Sequence, residues 1–213
     1  ADGAQLRAGD PVRALVDSMQ ERVRPLVSRV VGTAARRLGR EALANLVADA
    51  MRSAVGADAA ITNIGGLRSE FQPGDITVGH MFELIPFENT LVGVRLSGAQ
   101  LRAVLESRPE EARVSGLRAR LDVDAPPGRR IVGFEDASGR AIDARATYDV
   151  VTNNFLAYGG DGFTGFLEGN DVRWTSLLMR GVVLEWIENQ TRAGRHIDPD
   201  PEPRIRAEVG VPR

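Results

Sequence analysis

The sequence predicts an α+β fold on three observations. Helical periodicity and short strand-like apolar runs both occur along the 213 residues, but without the regular βαβα alternation of a doubly wound sheet. Two of the strand-like runs break off in an asparagine followed by glycines, "AAITNIGG" and "YDVVTNNFLAYGG". A proline- and glycine-rich stretch, residues 107–147, separates the first half of the pattern from the second and reads as a peripheral β excursion.

The first element is a helix opening at Asp10-Pro11, an N-cap with proline in the first turn. Val12, Val16, Met19, Val23, Leu26 and Val30 recur at spacings of four and three along one face, and Pro25 predicts a kink or an end near Arg24. A second helix covers about Arg40 to Ser53 with Leu43, Leu46, Val47, Ala50 and Met51 as its apolar stripe, ending before Gly56. "AAITN" (59–63) is a short buried strand. "LVGVRL" (91–96) alternates as a half-buried strand and leads into a helix whose start, Ser97 and Gln100, has capping-box spacing. Tyr148 to Thr152 form a buried strand. "LLMRGVVLEWIE" (177–188) is the last helix, with Leu177, Leu178, Val182, Leu184 and Ile187 buried, and the proline-rich tail "DPDPEPRIRAE" wraps the surface as extended chain.

Composition narrows the chemistry. Apolar residues at 43% and charged residues at 26% are ordinary globular values, which excludes disorder as the main state. A net charge of −2 leaves no broad basic field for a nucleic acid polymer. With no cysteine there is no thiol nucleophile and no thiolate metal site. No run approaches the roughly 20 apolar residues that span a bilayer, so no transmembrane segment is expected. The two histidines, His80 and His196, are isolated from each other and lack metal-ligand spacing, so His80 is read as structural. No nucleophile elbow, phosphate-binding Walker loop or dinucleotide fingerprint occurs.

What remains is a set of recognition groups on two glycine turns. Asn63, Gly65, Gly66 and Arg68 follow one strand; Asn153, Asn154, Phe155, Gly159, Gly160 and Asp161 follow the other. Glycine lets backbone N–H groups face a ligand, Arg68 supplies a cationic fork, and Asp161 accepts hydrogen bonds from hydroxyls, a combination suited to a phosphorylated sugar. Phe87 and Phe155 flank these turns, and two rings suit a planar base held between them. Each turn by itself is ordinary turn chemistry; their joint appearance points to a ligand site.

"AAITNIGGLR", "ITVGHMFELIPFENTLVGVRLSGAQLRAVLE" and "YDVVTNNFLAYGGDGF" resemble the carboxy-terminal domain of the 5′-nucleotidases, a family that also covers UDP-sugar hydrolases and cyclic phosphodiesterases. The resemblance runs from about Val31 to the tail, where "PRIR" fits too. It implies an α+β substrate-binding domain, a mixed β-sheet flanked by helices, over residues 31–213, preceded at 1–30 by a linker helix toward an amino-terminal metallophosphoesterase domain. It implies that Phe87 and Phe155 clamp the base, that Asp161 contacts the ribose hydroxyls, that Arg68 and Asn63 lie near the phosphate, and that Gly66 and Gly160 in their turns belong to the substrate site. Arg37 matches a further substrate arginine. The family has Glu-Ser where this chain has Arg40-Glu41, and a third glycine where it has Ile64.

The resemblance places two divalent metal ions and the catalytic histidine in the partner domain, and nothing here matches that domain's D-x-H, G-N-H-[DE] or G-H-x-H motifs. This chain is therefore expected to carry no cofactor and no catalytic residue of its own. The expected whole is a secreted, periplasmic or cell-surface nucleotide phosphohydrolase. The alternatives are a stand-alone nucleotide-binding module without catalysis and an interaction domain with a relic pocket.

Overall fold

A computed structural model describes residues 11–208 of the chain; the expected Asp10 cap lies outside them. The first helix, α1 (Pro11–Val27), carries Pro25 in its last turn and ends at Val27, three residues beyond Arg24, near which the sequence predicts a kink or an end. Val30 is not its last apolar residue but the first of β1 (Val30–Ala34). No residue of α1 is buried, and Leu26 is 69% exposed. Next come α2 (Arg40–Val55), β2 (Ala59–Asn63), β3 (Gly74–Thr77) and α3 (Val78–Leu84). β1 and β3 pair as a separate antiparallel ribbon.

α3 was not visible as a sequence pattern because it is only seven residues long, but its start is well defined. The Thr77 hydroxyl accepts the His80 N–H at 3.3 Å, and His80 Nδ1 accepts the Thr77 N–H at 3.2 Å. His80 thus serves as the return half of a capping box, a structural use that satisfies two donors at the helix start. Thr77→Ala is expected to lower unfolding stability by about 1 kcal/mol, the usual cost of an N-cap. A urea midpoint shifted at constant slope would register it.

The chain continues through β4 (Thr90–Ser97), α4 (Gly98–Ser107), β5 (Ala112–Ser115), β6 (Leu117–Asp122), β7 (Ile131–Asp136), β8 (Thr147–Asn153), α5 (Asn154–Ala157), β9 (Asn170–Leu178), α6 (Met179–Arg192) and β10 (Ile205–Glu208). Ser97 and Gln100 make the expected capping box at α4. The main sheet has the order β5-β2-β8-β4-β9, with β2 and β8 parallel and the other pairings antiparallel. Helices cover both of its faces. Because successive side chains point to opposite faces of a strand, Ala60 and Val151 pack with Leu43, Leu46, Val47 and Met51 of α2 and Val183 and Ile187 of α6. Ala59, Ile61 and Val150 point the other way, into a second core with Leu101, Val104 and Leu105 of α4 and with Phe163 and Phe166. Burial on both sides makes "AAITN" uniformly apolar or small up to its last residues, which is why it stands out as a strand.

Two expectations are corrected. β5, inside the stretch read as peripheral, is the edge strand of the main sheet beside β2; only β6 and β7 lie apart, in a sheet of order β10-β6-β7. Leu177 and Leu178 are exposed and end β9 instead of opening the last helix, and α6 buries Met179, Val182, Val183 and Ile187. β9 is an edge strand exposed along most of its length, so no alternation of burial marks it in the sequence. The tail crosses α2 as extended chain, with Asn45 Nδ2 donating to the carbonyls of Asp200 and Glu202 and Arg204 forking onto Asp49 at 2.6 and 2.8 Å. It then forms a strand, β10, parallel to β6.

Candidate functional site

The parallel pairing of β2 with β8, Ala59 opposite Val150 and Ala60 opposite Val151, sends both strands out of the sheet at the same edge. The two glycine turns therefore meet, although about ninety residues separate them. A crevice outside the carboxyl ends of neighbouring parallel strands is where open α/β sheets bind ligands.

Beyond β2 the chain makes a tight turn at Ile64–Gly66, and Asn63, buried, lies over it: a Cβ on Gly66 would come within 3.2 Å of Asn63 Oδ1. Beyond β8, Asn153 Oδ1 accepts the Leu156 N–H at 3.0 Å and starts the single turn of α5, which presents Phe155. The chain then reverses through Gly159, Gly160, Asp161 and Gly162. Asp161 has φ 52°, a left-handed conformation that a non-glycine residue rarely holds without a local reason. That reason is on the other turn. Asn63 Nδ2 donates to Asp161 Oδ2 at 2.6 Å, so the two asparagine-glycine devices are tied by a hydrogen bond between them.

The turns enclose a cavity of about 300 Å³ lined by Asn63, Gly65, Gly66, Arg68, Phe87, Asn89, Phe155 and Asp161. Phe87 and Phe155 are each 44% exposed. Aromatic rings left this open, outside both cores and lining one cavity, are available to a ligand. Gly160 packs directly against Phe155, where an added Cβ would fall 2.6 Å from the ring Cζ and from the Phe155 carbonyl oxygen. Seven of the residues singled out in the sequence thus line one cavity, and Gly160 supports one of its walls. Arg37 lies outside the lining, its guanidinium paired with Glu70.

Three residues were not singled out. Asn89 lines the cavity two positions after Phe87, near enough in sequence for the "PFEN" run to have signalled it. Arg180 on α6 donates to the carbonyl of Ile85 at 2.8 Å and, more weakly, to that of Phe87 at 3.4 Å, while its guanidinium lies 4.0 Å over the Phe82 ring. It braces the loop that carries Phe87, and nothing local to Phe87 announces a partner more than ninety residues away. Arg40, the first residue of α2, donates through Nη2 to the Ile64 carbonyl at 2.8 Å.

Among the described residues no group of three or more His, Cys, Asp or Glu side chains is placed to hold a metal ion, so the two divalent ions implied by the resemblance do not fit these residues. No helix among the described residues is long and apolar enough to cross a membrane.

Comparison with known proteins places this arrangement. Residues 23–168 match the family model of the 5′-nucleotidase, C-terminal domain. The trifunctional nucleotide phosphoesterase protein YfkN of Bacillus subtilis is 35% identical over 189 residues, a match covering 80% of this chain and 12% of YfkN. The crystal structure of a 5′-nucleotidase precursor from Thermus thermophilus superposes with a TM-score of 0.80 at 32% identity, over 92% of this chain and 42% of that one. A putative 5′-nucleotidase from Staphylococcus aureus shares the fold, with a TM-score of 0.78 at 17% identity, over 98% of this chain and 46% of that one. This chain thus spans less than half of the length of each of these relatives. A mixed sheet between helices, with its paired turns at one edge and its match over most of its length, shows that the chain belongs to the 5′-nucleotidase C-terminal domain family.

Proposed function

We propose that the domain is a nucleotide-binding module, with the base between Phe87 and Phe155, the ribose hydroxyls on Asp161, and the phosphate toward Asn63, the Gly65–Gly66 turn and Arg68. The observation that carries this reading is the pair of open rings sharing one cavity with a carboxylate and a guanidinium. Aromatic faces accept any base by stacking, the carboxylate accepts from paired hydroxyls, and the guanidinium fork suits a phosphate. A cavity of about 300 Å³ is at the small end of ligand pockets, in keeping with a nucleoside-sized occupant. The chain's own residues bind and orient; none is assigned a bond-breaking step.

Hydrolysis of the nucleotide we assign to the larger protein. In that reading residues 1–30 lead toward a metallophosphoesterase domain that holds two divalent ions, and residues 31–213 present the nucleotide to it. The exposed apolar side chains of α1 support this, since an amphipathic helix with no buried residue presents a face suited to a partner surface. The relatives, a nucleotide phosphoesterase and 5′-nucleotidases, support it too. A nucleotide-cleaving protein of this kind would be secreted, periplasmic or held at the cell surface.

Calorimetric titration of the 213-residue chain with adenosine and AMP tests the binding reading. Saturable binding is expected, and Asp161→Ala is expected to weaken it about fivefold, the value of one or two hydrogen bonds to hydroxyls. Absence of adenosine binding by the unaltered chain would sink the proposal. Phosphate release from AMP by this chain with added divalent metal would show that the chemistry does not require a further domain.

A further inference from the structure

Phe87 lies in segment 85–89 between α3 and β4, which has no regular structure of its own. Pro86, Phe87 and Glu88 are exposed, and the Phe87 ring belongs to neither hydrophobic core. Core packing therefore does not aim this ring; the backbone ties of the segment do. Just past one end, the Thr90 N–H donates to Asn154 Oδ1 at 3.2 Å, on the residue next to Phe155. Further ties come from two adjacent residues of α6. The Met179 N–H donates to the Asn89 carbonyl at 2.8 Å, and Arg180 Nη1 donates to the carbonyls of Ile85 at 2.8 Å and Phe87 at 3.4 Å.

Arg180 stands where helix electrostatics oppose it. It is the second residue of α6, so its charge faces the positive end of the helix dipole, where anions are favoured. The guanidinium is held there by the two carbonyls and by the face of Phe82, whose ring centroid lies 4.0 Å away. A locally disfavoured residue engaged on the carbonyls of a loop has its compensation in that loop. Arg180 does not line the cavity, so its effect on a ligand passes through the position of Phe87. A ring on an untied loop must be ordered when the base arrives, which weakens binding; a ring held beforehand avoids that loss.

We infer that Arg180 is a positioning residue for base recognition: through the Ile85 and Phe87 carbonyls it holds Phe87 in the orientation that stacks a base. The inference rests on the proposed nucleotide reading of the cavity and adds to it a residue outside the cavity on which affinity for the base depends.

The test is a double-mutant cycle, read by calorimetric titration of the 213-residue chain with adenosine. It compares the unaltered protein, Arg180→Ala, Phe87→Ala and the double variant, with Arg180→Lys alongside and a urea melt on each to establish folding. Arg180→Ala is expected to weaken adenosine binding about fivefold, the scale of one hydrogen bond lost from the support of the ring. In the Phe87→Ala background the same substitution should change affinity by less than about twofold, because the ring that it positions is gone. Arg180→Lys keeps a donor for one carbonyl but loses the planar fork over Phe82, and should fall between the unaltered chain and Arg180→Ala. Should Arg180→Ala fail to fold, the cycle run with Arg180→Lys decides by the same comparison. Undiminished affinity in Arg180→Ala, or an equal fold loss with and without Phe87, overturns this inference and leaves the nucleotide reading standing. Failure of adenosine to bind the unaltered chain would overturn both.

Discussion

Phe155→Ala weakens adenosine binding by about 1–3 kcal/mol, roughly 5- to 150-fold, if the base is held by stacking. The expectation comes from where the ring sits. Phe155 is presented by one turn of helix that Asn153 starts, it belongs to neither hydrophobic core, and it faces the cavity that Phe87 lines from another loop. Removing a ring from a core would cost stability; removing this one should cost affinity and leave the unfolding midpoint nearly unchanged. Tyr158, three residues on, provides the control. It is 71% exposed and stacked on Trp174 at 4.8 Å, outside the cavity lining, so Tyr158→Ala should leave adenosine affinity as it was. Equal calorimetric affinities for Phe155→Ala and the unaltered chain would eliminate the clamp.

Gly160→Ala reaches the same wall by a different route. The added methyl would fall 2.6 Å from both the ring Cζ and the carbonyl oxygen of Phe155. A ring edge can swing away, but the carbonyl belongs to the backbone and moves only if α5 or the turn moves with it. Overpacking of this kind costs about 1–3 kcal/mol of stability. The displacement also carries Asp161, the next residue, away from Asn63. The variant is therefore expected to lose adenosine affinity about tenfold or more, beyond what either group alone explains. Calorimetry paired with a urea melt separates the two effects, and a variant that binds normally would show that the turn does not set the ring position.

The sequence carried much of the fold for identifiable reasons. α2 and α4 have apolar stripes at helical spacing, and β2 and β8, covered on both faces, are apolar runs with abrupt ends. β9 had no such mark because most of its residues are exposed, and the two leucines that look like the start of the following helix are its last residues. β5 was hidden for a different reason. Its four residues are too few for periodicity to assign, and only its pairing with β2 brings it into the main sheet.

The candidate site divides in the same way. Asn63, Gly66, Arg68, Phe87, Phe155, Gly160 and Asp161 stood out in the sequence because glycine clusters after strands and aromatics beside them are locally unusual. Arg180 and Arg40 did not, because each acts through a backbone carbonyl far along the chain. Arg37 stood out by its spacing, yet an ion pair with Glu70 holds it outside the cavity lining.

By itself, the amino-acid order determined which residue types punctuate the strands, where α2 and α4 begin, and that no cysteine or paired histidine chemistry is available. The tertiary structure alone decided that the two punctuation marks share one cavity, because parallel pairing of β2 and β8 aligns their ends and the Asn63–Asp161 hydrogen bond closes the gap. Local pattern reports the period of burial, whereas the meeting of distant turns depends on strand order, which short-range spacing does not encode.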